Sequence, residues 1–144
     1  MKIIALHGKA SCGKTTTIKK LYAKLVCDNR FSQMLFKKEG KDDLTAVFEY
    51  GTKKVGVTSL GDGEAELKNA FDIFIAENCD IVVCACRTRD AKNGAIAYIK
   101  SLNVNVAWYK KAYIDVWTTQ YYPTNEIDKI NDIQAEALVK EVVA

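Results

Sequence analysis

Gly8 and Gly13 stand five apart in GKASCGKT, with Lys14 and Thr15 directly behind the second glycine. The pattern G-x-x-x-x-G-K-[ST] suits one task, holding a chain of phosphates. Glycines let the backbone curl until successive N–H groups face a common hollow, a nest for phosphate oxygens. A helix starting near Gly13 adds its unpaired first amides and the positive end of its dipole. Lys14 would reach the β- and γ-phosphates, and the Thr15 hydroxyl would join the coordination of Mg²⁺. At average residue usage a random chain of this length matches the pattern on the order of once in 200. The expected contact set is Gly8, Lys9, Ala10, Ser11, Cys12, Gly13, Lys14, Thr15 and Thr16.

Other candidates lie where an open α/β sheet gathers ligands, beyond the carboxyl ends of its strands. Arg87 and Arg89 follow the apolar run IVVCAC and would meet the charge that spreads over a transferring phosphoryl group. Asp62, after VGVTSLG, is the first choice for holding the metal through a water, and equally an N-cap for a helix over 63–77. Glu49 is a poorer second choice, and Asp80 precedes its strand and is discounted. Arg30, Lys37, Lys38 and Lys41 in segment 28–43 offer cations for an anionic acceptor, or only a solvated face. The aromatic stretch 108–123 places Trp108 at the core end of a strand. Its Tyr113, Trp117, Tyr121 and Tyr122 either stack a base or pack under the last helix. Cys12 sits inside the loop, where a thiol could sense oxidation.

The elements that must position these groups follow from periodicity. Lys2–Leu6 reads as a short buried strand. Ile18, Leu21, Tyr22 and Leu25 recur at helical spacing after the motif. Segment 28–43 is polar and irregular and reads as a long loop. LTAVFEY (44–50) and KVGVTSL (54–60), separated by Gly51-Thr52-Lys53, predict an antiparallel hairpin. A helix with Leu67, Ala70, Phe71, Phe74 and Ile75 inward comes next. The continuous apolar run after Asp80 suits a strand covered on both faces. A helix with Ile96, Ile99 and Leu102 inward and a strand over 104–108 follow. Pro123 and Thr124 announce a final helix with Ile127, Ile130, Ile133, Ala137 and Leu138 in its buried stripe. The order β-α-β-β-α-β-α-β-α predicts a three-layer α/β/α domain over 1–144. Its sheet would have about five mostly parallel strands, with one antiparallel hairpin strand at an edge.

Composition narrows the classes. At 144 residues, 49% hydrophobic and 27% charged, the chain matches one soluble globular domain with a real core. A net charge of +3 spread along the chain gives no nucleic-acid signal, and no apolar run nears the roughly 18 residues of a membrane span. The apolar run before the motif falls short of the about 7–15 residues of a secretory signal, so a cytoplasmic protein is expected. The five cysteines fit that compartment as reduced core or near-core thiols, with Cys84 and Cys86 on one strand face. A metal site built on them is not expected, since the chain has one histidine and no Cys-x-x-Cys pair.

GKASCGKT resembles the Walker A motif of P-loop NTPases. The likeness covers the first ~27 residues by motif and the rest by topology. It implies a nucleoside triphosphate with Mg²⁺ and names no reaction. Three branches of that superfamily are similar in different ways. Small nucleotide kinases close arginines over the phosphates, as Arg87 and Arg89 would here. Ras-like GTPases share the element order, but their D-x-x-G and N-K-x-D correspond here to Thr58-Ser59-Leu60-Gly61 and Arg87-Thr88-Arg89-Asp90. ATP is therefore preferred over GTP. Partition-type ATPases carry GKGGxGKT and use the extra lysine across a homodimer. Lys9 stands in its place, whereas Ala10 and Ser11 replace the two middle glycines. The expected activity is ATP hydrolysis or γ-phosphate transfer to a small anionic acceptor; the alternative is a nucleotide-dependent switch or dimer.

Overall fold

The computed structural model describes residues 1–88, 94–113 and 124–144. Its elements run β1 (Lys2–Gly8), α1 (Lys14–Cys27), β2 (Phe31–Glu39), β3 (Asp43–Tyr50), β4 (Lys53–Thr58), α2 (Glu64–Ala76), β5 (Ile81–Arg87), α3 (Ala95–Ser101), β6 (Asn105–Lys110) and α4 (Thr124–Val143). The six strands form one sheet in the order β2-β3-β4-β5-β1-β6. The four strands β4, β5, β1 and β6 run parallel to one another, and β3 runs antiparallel to both β2 and β4.

Each face of the sheet carries its own core. On one side Ile4 and Leu6 of β1 pack with Ile18, Leu21 and Leu25 of α1 and with Ala135, Leu138 and Val142 of α4. On the other, Ile3 and Ala5 pack with Leu67, Phe71 and Phe74 of α2 and Ile99 of α3. A strand clothed on both faces needs apolar residues at successive positions, which is why KIIAL does not alternate. Each large side chain buried this way contributes roughly 1.5–3 kcal/mol. Among the described residues no helix is long and apolar enough to cross a membrane.

The structure corrects several expectations. Segment 28–43 is not a loop, because β2 occupies most of it and makes a sixth strand. The hairpin therefore lies inside the sheet, and β2 is the edge. Only Phe31 of its nine residues is buried, and a register shift between Gln33 and Leu35 breaks the two-residue period. The final strand is displaced to Asn105–Lys110, and Trp108 is 38% exposed rather than capping the core. In α4, Ile133 and Ala137 face outward, while Asn131, Ala135, Leu138, Val139 and Val142 turn inward. Ile75 is exposed, as is Cys27, the one thiol of the five outside the core. Burial pushes Cys79 up to about 11 and Cys86 up to about 12, and Cys84 well above the ordinary thiol value. These thiols stay protonated and act as small apolar side chains. Pro123 and the Thr124 side chain lie outside the described residues.

What matters for function is the edge where the parallel strands end. β1 and β5 pair in register up to Gly8 opposite Arg87, so the motif loop and Arg87 leave the sheet side by side. The chain leaving β4 crosses the end of β5, where Arg87 N–H donates to the Gly61 carbonyl at 3.0 Å. A Cβ on Gly61 would lie 2.0 Å from the Ala85 carbonyl oxygen, and backbone cannot swing aside as a side chain can. Gly61→Ala is therefore expected to destabilise the fold by about 3 kcal/mol. Urea denaturation measures it, and a change under 1 kcal/mol would mean that the crossing is looser than described.

Candidate functional site

The loop from Lys9 to Gly13 turns through two left-handed residues, Ser11 with φ 59° and Gly13 with φ 96°. Gly13 is also the N-cap of α1. It offers no side-chain cap, and the first turn carries no acidic residue. The first amides of α1 and its positive dipole end are thus left uncompensated by the helix itself. Both motif glycines have a steric reason. A Cβ on Gly8 would lie 2.8 Å from Cys12 Sγ, and one on Gly13 would lie 2.9 Å from Asn131 Oδ1. The loop is anchored behind by Thr17, whose hydroxyl donates to the Gly13 carbonyl at 2.8 Å and to Asn131 Oδ1 at 3.4 Å. Surface pairs from Lys20 to Asp128 and from Lys24 to Asp132 and Glu136 run between α1 and α4, the helix that brings Asn131 to the loop.

In front of the loop lies a cavity of about 540 Å³. Ala10, Ser11, Gly13, Lys14, Thr15 and Thr16 form one wall. Ser59, Gly61 and Asp62 come from the end of β4, and Ala85 and Arg87 from the end of β5. Residues far apart in the chain therefore meet around one hollow. Of the expected contact set, Gly8, Lys9 and Cys12 do not line it. Gly8 and Cys12 are packed inside, and the Lys9 ammonium sits 4.6 Å from the centroid of the Tyr113 ring.

Lys14 is nearly buried, and its ammonium is folded back over the loop. It donates to the Gly8 carbonyl at 2.9 Å and the Lys9 carbonyl at 2.6 Å, with Cys12 Sγ at 3.8 Å. Carbonyl dipoles hold that cation only until a full negative charge competes for it. Arg87 closes the opposite wall, and its buried Nε has no hydrogen-bond partner among the described residues. A guanidinium on the wall of a largely polar cavity, with one N–H left over, fits an anionic ligand.

Asp62 lines this cavity and caps nothing, because the N-cap of α2 is Gly63 and makes no side-chain hydrogen bond. The helix-cap alternative for Asp62 is thereby corrected. Glu49 also fails as a second choice. β3 is antiparallel, so its carboxyl end lies at the opposite edge of the sheet, where Tyr50 pairs with Lys53. Asp80 sits at that edge too and accepts from the Lys54 amide at 2.9 Å. Arg30 and Lys37 are paired with Asp28 and Glu39, and neither they nor Lys38 and Lys41 line the cavity. Arg89, Asp90, Trp117, Tyr121 and Tyr122 lie outside the described residues.

Three residues escaped the sequence analysis as site residues. Ser59 directly follows β4, buried against the cavity, donating to Asp43 Oδ1 at 2.7 Å and accepting from the Leu44 amide at 2.9 Å. Its signal was a polar Thr-Ser pair closing an apolar strand. Lys111 and Asn131 back the loop from behind, and their signal is weak, since each is a polar residue in a segment with no motif. For a metal, the oxygen donors on the cavity wall include Thr15 and Asp62, hard ligands of the sort Mg²⁺ takes. Among the described residues no group of three His, Cys, Asp or Glu could hold an ion by itself. A Mg²⁺ ion here would need phosphate oxygens and water to complete its shell, as is usual for that ion. No protein-family model matches the chain, and a search of curated proteins gives no match either.

Proposed function

We propose that the chain binds ATP with Mg²⁺ in this cavity, and hydrolyses it or passes its γ-phosphate to a small anionic acceptor. The observation that carries this is the meeting of an uncapped helix start, Lys14 and Arg87, whose Nε has no partner among the described residues, around a single hollow. Loop amides from Ala10 to Thr16 would bind phosphate oxygens, and Lys14 would leave the Gly8 and Lys9 carbonyls to neutralise the β- and γ-phosphates. Thr15 would ligate Mg²⁺ directly and Asp62 through water. When bound, the ion supplies charge neutralisation and polarises the terminal phosphate. Arg87 would stabilise the charge that develops on the transferring group.

A thermal-shift panel tests the proposal: ATP, GTP, ADP and nucleoside monophosphates, each with and without Mg²⁺. ATP–Mg²⁺ at 100 times its Kd should add about 2.7 kcal/mol to the stability of the folded state, a shift of several degrees. GTP should shift less. If no triphosphate raises the melting temperature, the functional proposal fails.

A second reading, a nucleotide-dependent switch that dimerises, is favoured by one feature. The edge strand β2 exposes Met34 and Phe36, and an unpaired strand edge is a template for a second chain. Lys9, the counterpart of the partition-type lysine, contacts Tyr113 of its own chain and would have to leave that ring to cross a dimer. Light scattering in ATP and ADP separates the two. Acceptor-stimulated ADP release by a monomer supports transfer, whereas an ATP-dependent doubling of mass supports the switch.

A further inference from the structure

Directly after β6 the chain places a lysine where lysines are seldom found. Lys111 is 1% exposed, and its amide donates to the His7 carbonyl at 2.8 Å, which fixes its backbone against the end of β1. Its Cβ lies 3.1 Å from the point where Gly8 would carry a Cβ, and its Cε 3.4 Å from the same point on Gly13. The stem therefore runs beneath the loop from one motif glycine to the other. The ammonium donates to the Ala112 carbonyl. Among the described residues no carboxylate pairs with it; its titratable neighbours are the Cys12 thiol and a second cation, Lys14, which act on it in opposite senses. Burial is the main reason its affinity for a proton is lowered, with Cys12 opposing the shift and Lys14 adding to it.

A buried ammonium without an anion is costly, and a methionine would fill the same tunnel without that cost. Two ammonium groups against one phosphate loop, Lys14 folded over it and Lys111 beneath it, form an arrangement that an incoming polyanion relieves. We propose that Lys111 is a second cation of the phosphate site, a positioning residue whose counter-charge is the polyphosphate tail of the bound nucleotide. Its field reaches the ligand through the loop, since Lys111 does not line the cavity. The inference rests on the triphosphate proposal and adds to it a residue outside the motif. It also gives the strand-end position a selective role, favouring ligands with long, highly charged tails over monophosphates.

The test uses Lys111→Met, which keeps the stem and removes the charge, with Lys111→Gln as a second neutral variant. Binding of ATP and of inorganic tripolyphosphate is measured by calorimetry at low and high salt, and melting is followed without ligand. The neutral variants should melt at or above the wild-type temperature. They should also bind tripolyphosphate about tenfold more weakly, the effect of one unit charge about 10 Å away at an effective dielectric near 20. The deficit should shrink at high salt. Unchanged affinity in a folded variant, whatever its melting temperature, overturns the inference while leaving the triphosphate site standing. A wild-type chain that binds neither probe overturns both.

Discussion

Lys14→Ala is expected to weaken ATP–Mg²⁺ binding by at least about 100-fold, a loss of roughly 3 kcal/mol. The size of the effect follows from where the ammonium must act. Inside the loop the polyphosphate meets amides that are dipoles, and Lys14 is the one full positive charge of the motif able to turn into the cavity. Hydrogen bonds to charged groups are roughly twice as strong as those between neutral ones, and stronger still where water is excluded. The same substitution removes the bonds from Lys14 to the Gly8 and Lys9 carbonyls. Those carbonyls sit on a partly open loop, so the ligand-free fold should lose only about 1–2 kcal/mol. Calorimetric titration and urea denaturation on one preparation read the two quantities apart. A variant that binds ATP as tightly as wild type would remove the loop from the site, and with it the basis for any role of Arg87.

How far the sequence led can be argued residue by residue. The motif, β1 and α1 were legible because three independent signals coincide there: a fixed-spacing pattern, a continuous apolar run and a helical stripe through Ile18, Leu21 and Leu25. The β3–β4 hairpin was legible because both strands are buried and their turn carries Gly51 with positive φ. β2 was not. An edge strand satisfies half of its hydrogen bonds with one neighbour and has little apolar surface to bury, so its sequence resembles a loop. Periodicity misled in α4 because Asn131 takes a core-facing position to reach the loop, shifting the buried stripe away from Ile133. Packing by a polar residue in the service of a site leaves no hydrophobic trace.

The same limit explains the site. Gly13 and Lys14 announce themselves by spacing, whereas Asp62 and Arg87 join them only because β5 lies between β4 and β1. Strand order is a long-range property that local periodicity does not encode. Lys111 was less visible still, since a lysine in an aromatic stretch looks solvated until its burial is known.

Arg87→Ala should lower the turnover of ATP by about 100–1,000-fold while changing ATP affinity less than tenfold. The asymmetry comes from timing. The ground-state phosphate chain is held by the loop and Lys14, whereas Arg87 stands on the facing wall at the end of β5, where charge on a departing terminal phosphoryl group would gather. An interaction made mainly in the transition state appears in kcat and kcat/KM alike and hardly in KM. Arg87 Nε is buried without a partner among the described residues, so its loss should leave folding stability nearly unchanged or slightly raised, which separates a catalytic defect from a damaged fold. Arg87→Lys should not restore the rate, because an ammonium lacks the planar fork that meets two phosphate oxygens at once. Steady-state kinetics on the three proteins, with melting curves alongside, decide the matter. Equal turnover in all three would assign Arg87 to packing at the sheet edge and would shift the proposal toward a binding switch, in which the triphosphate holds a conformation rather than reacts.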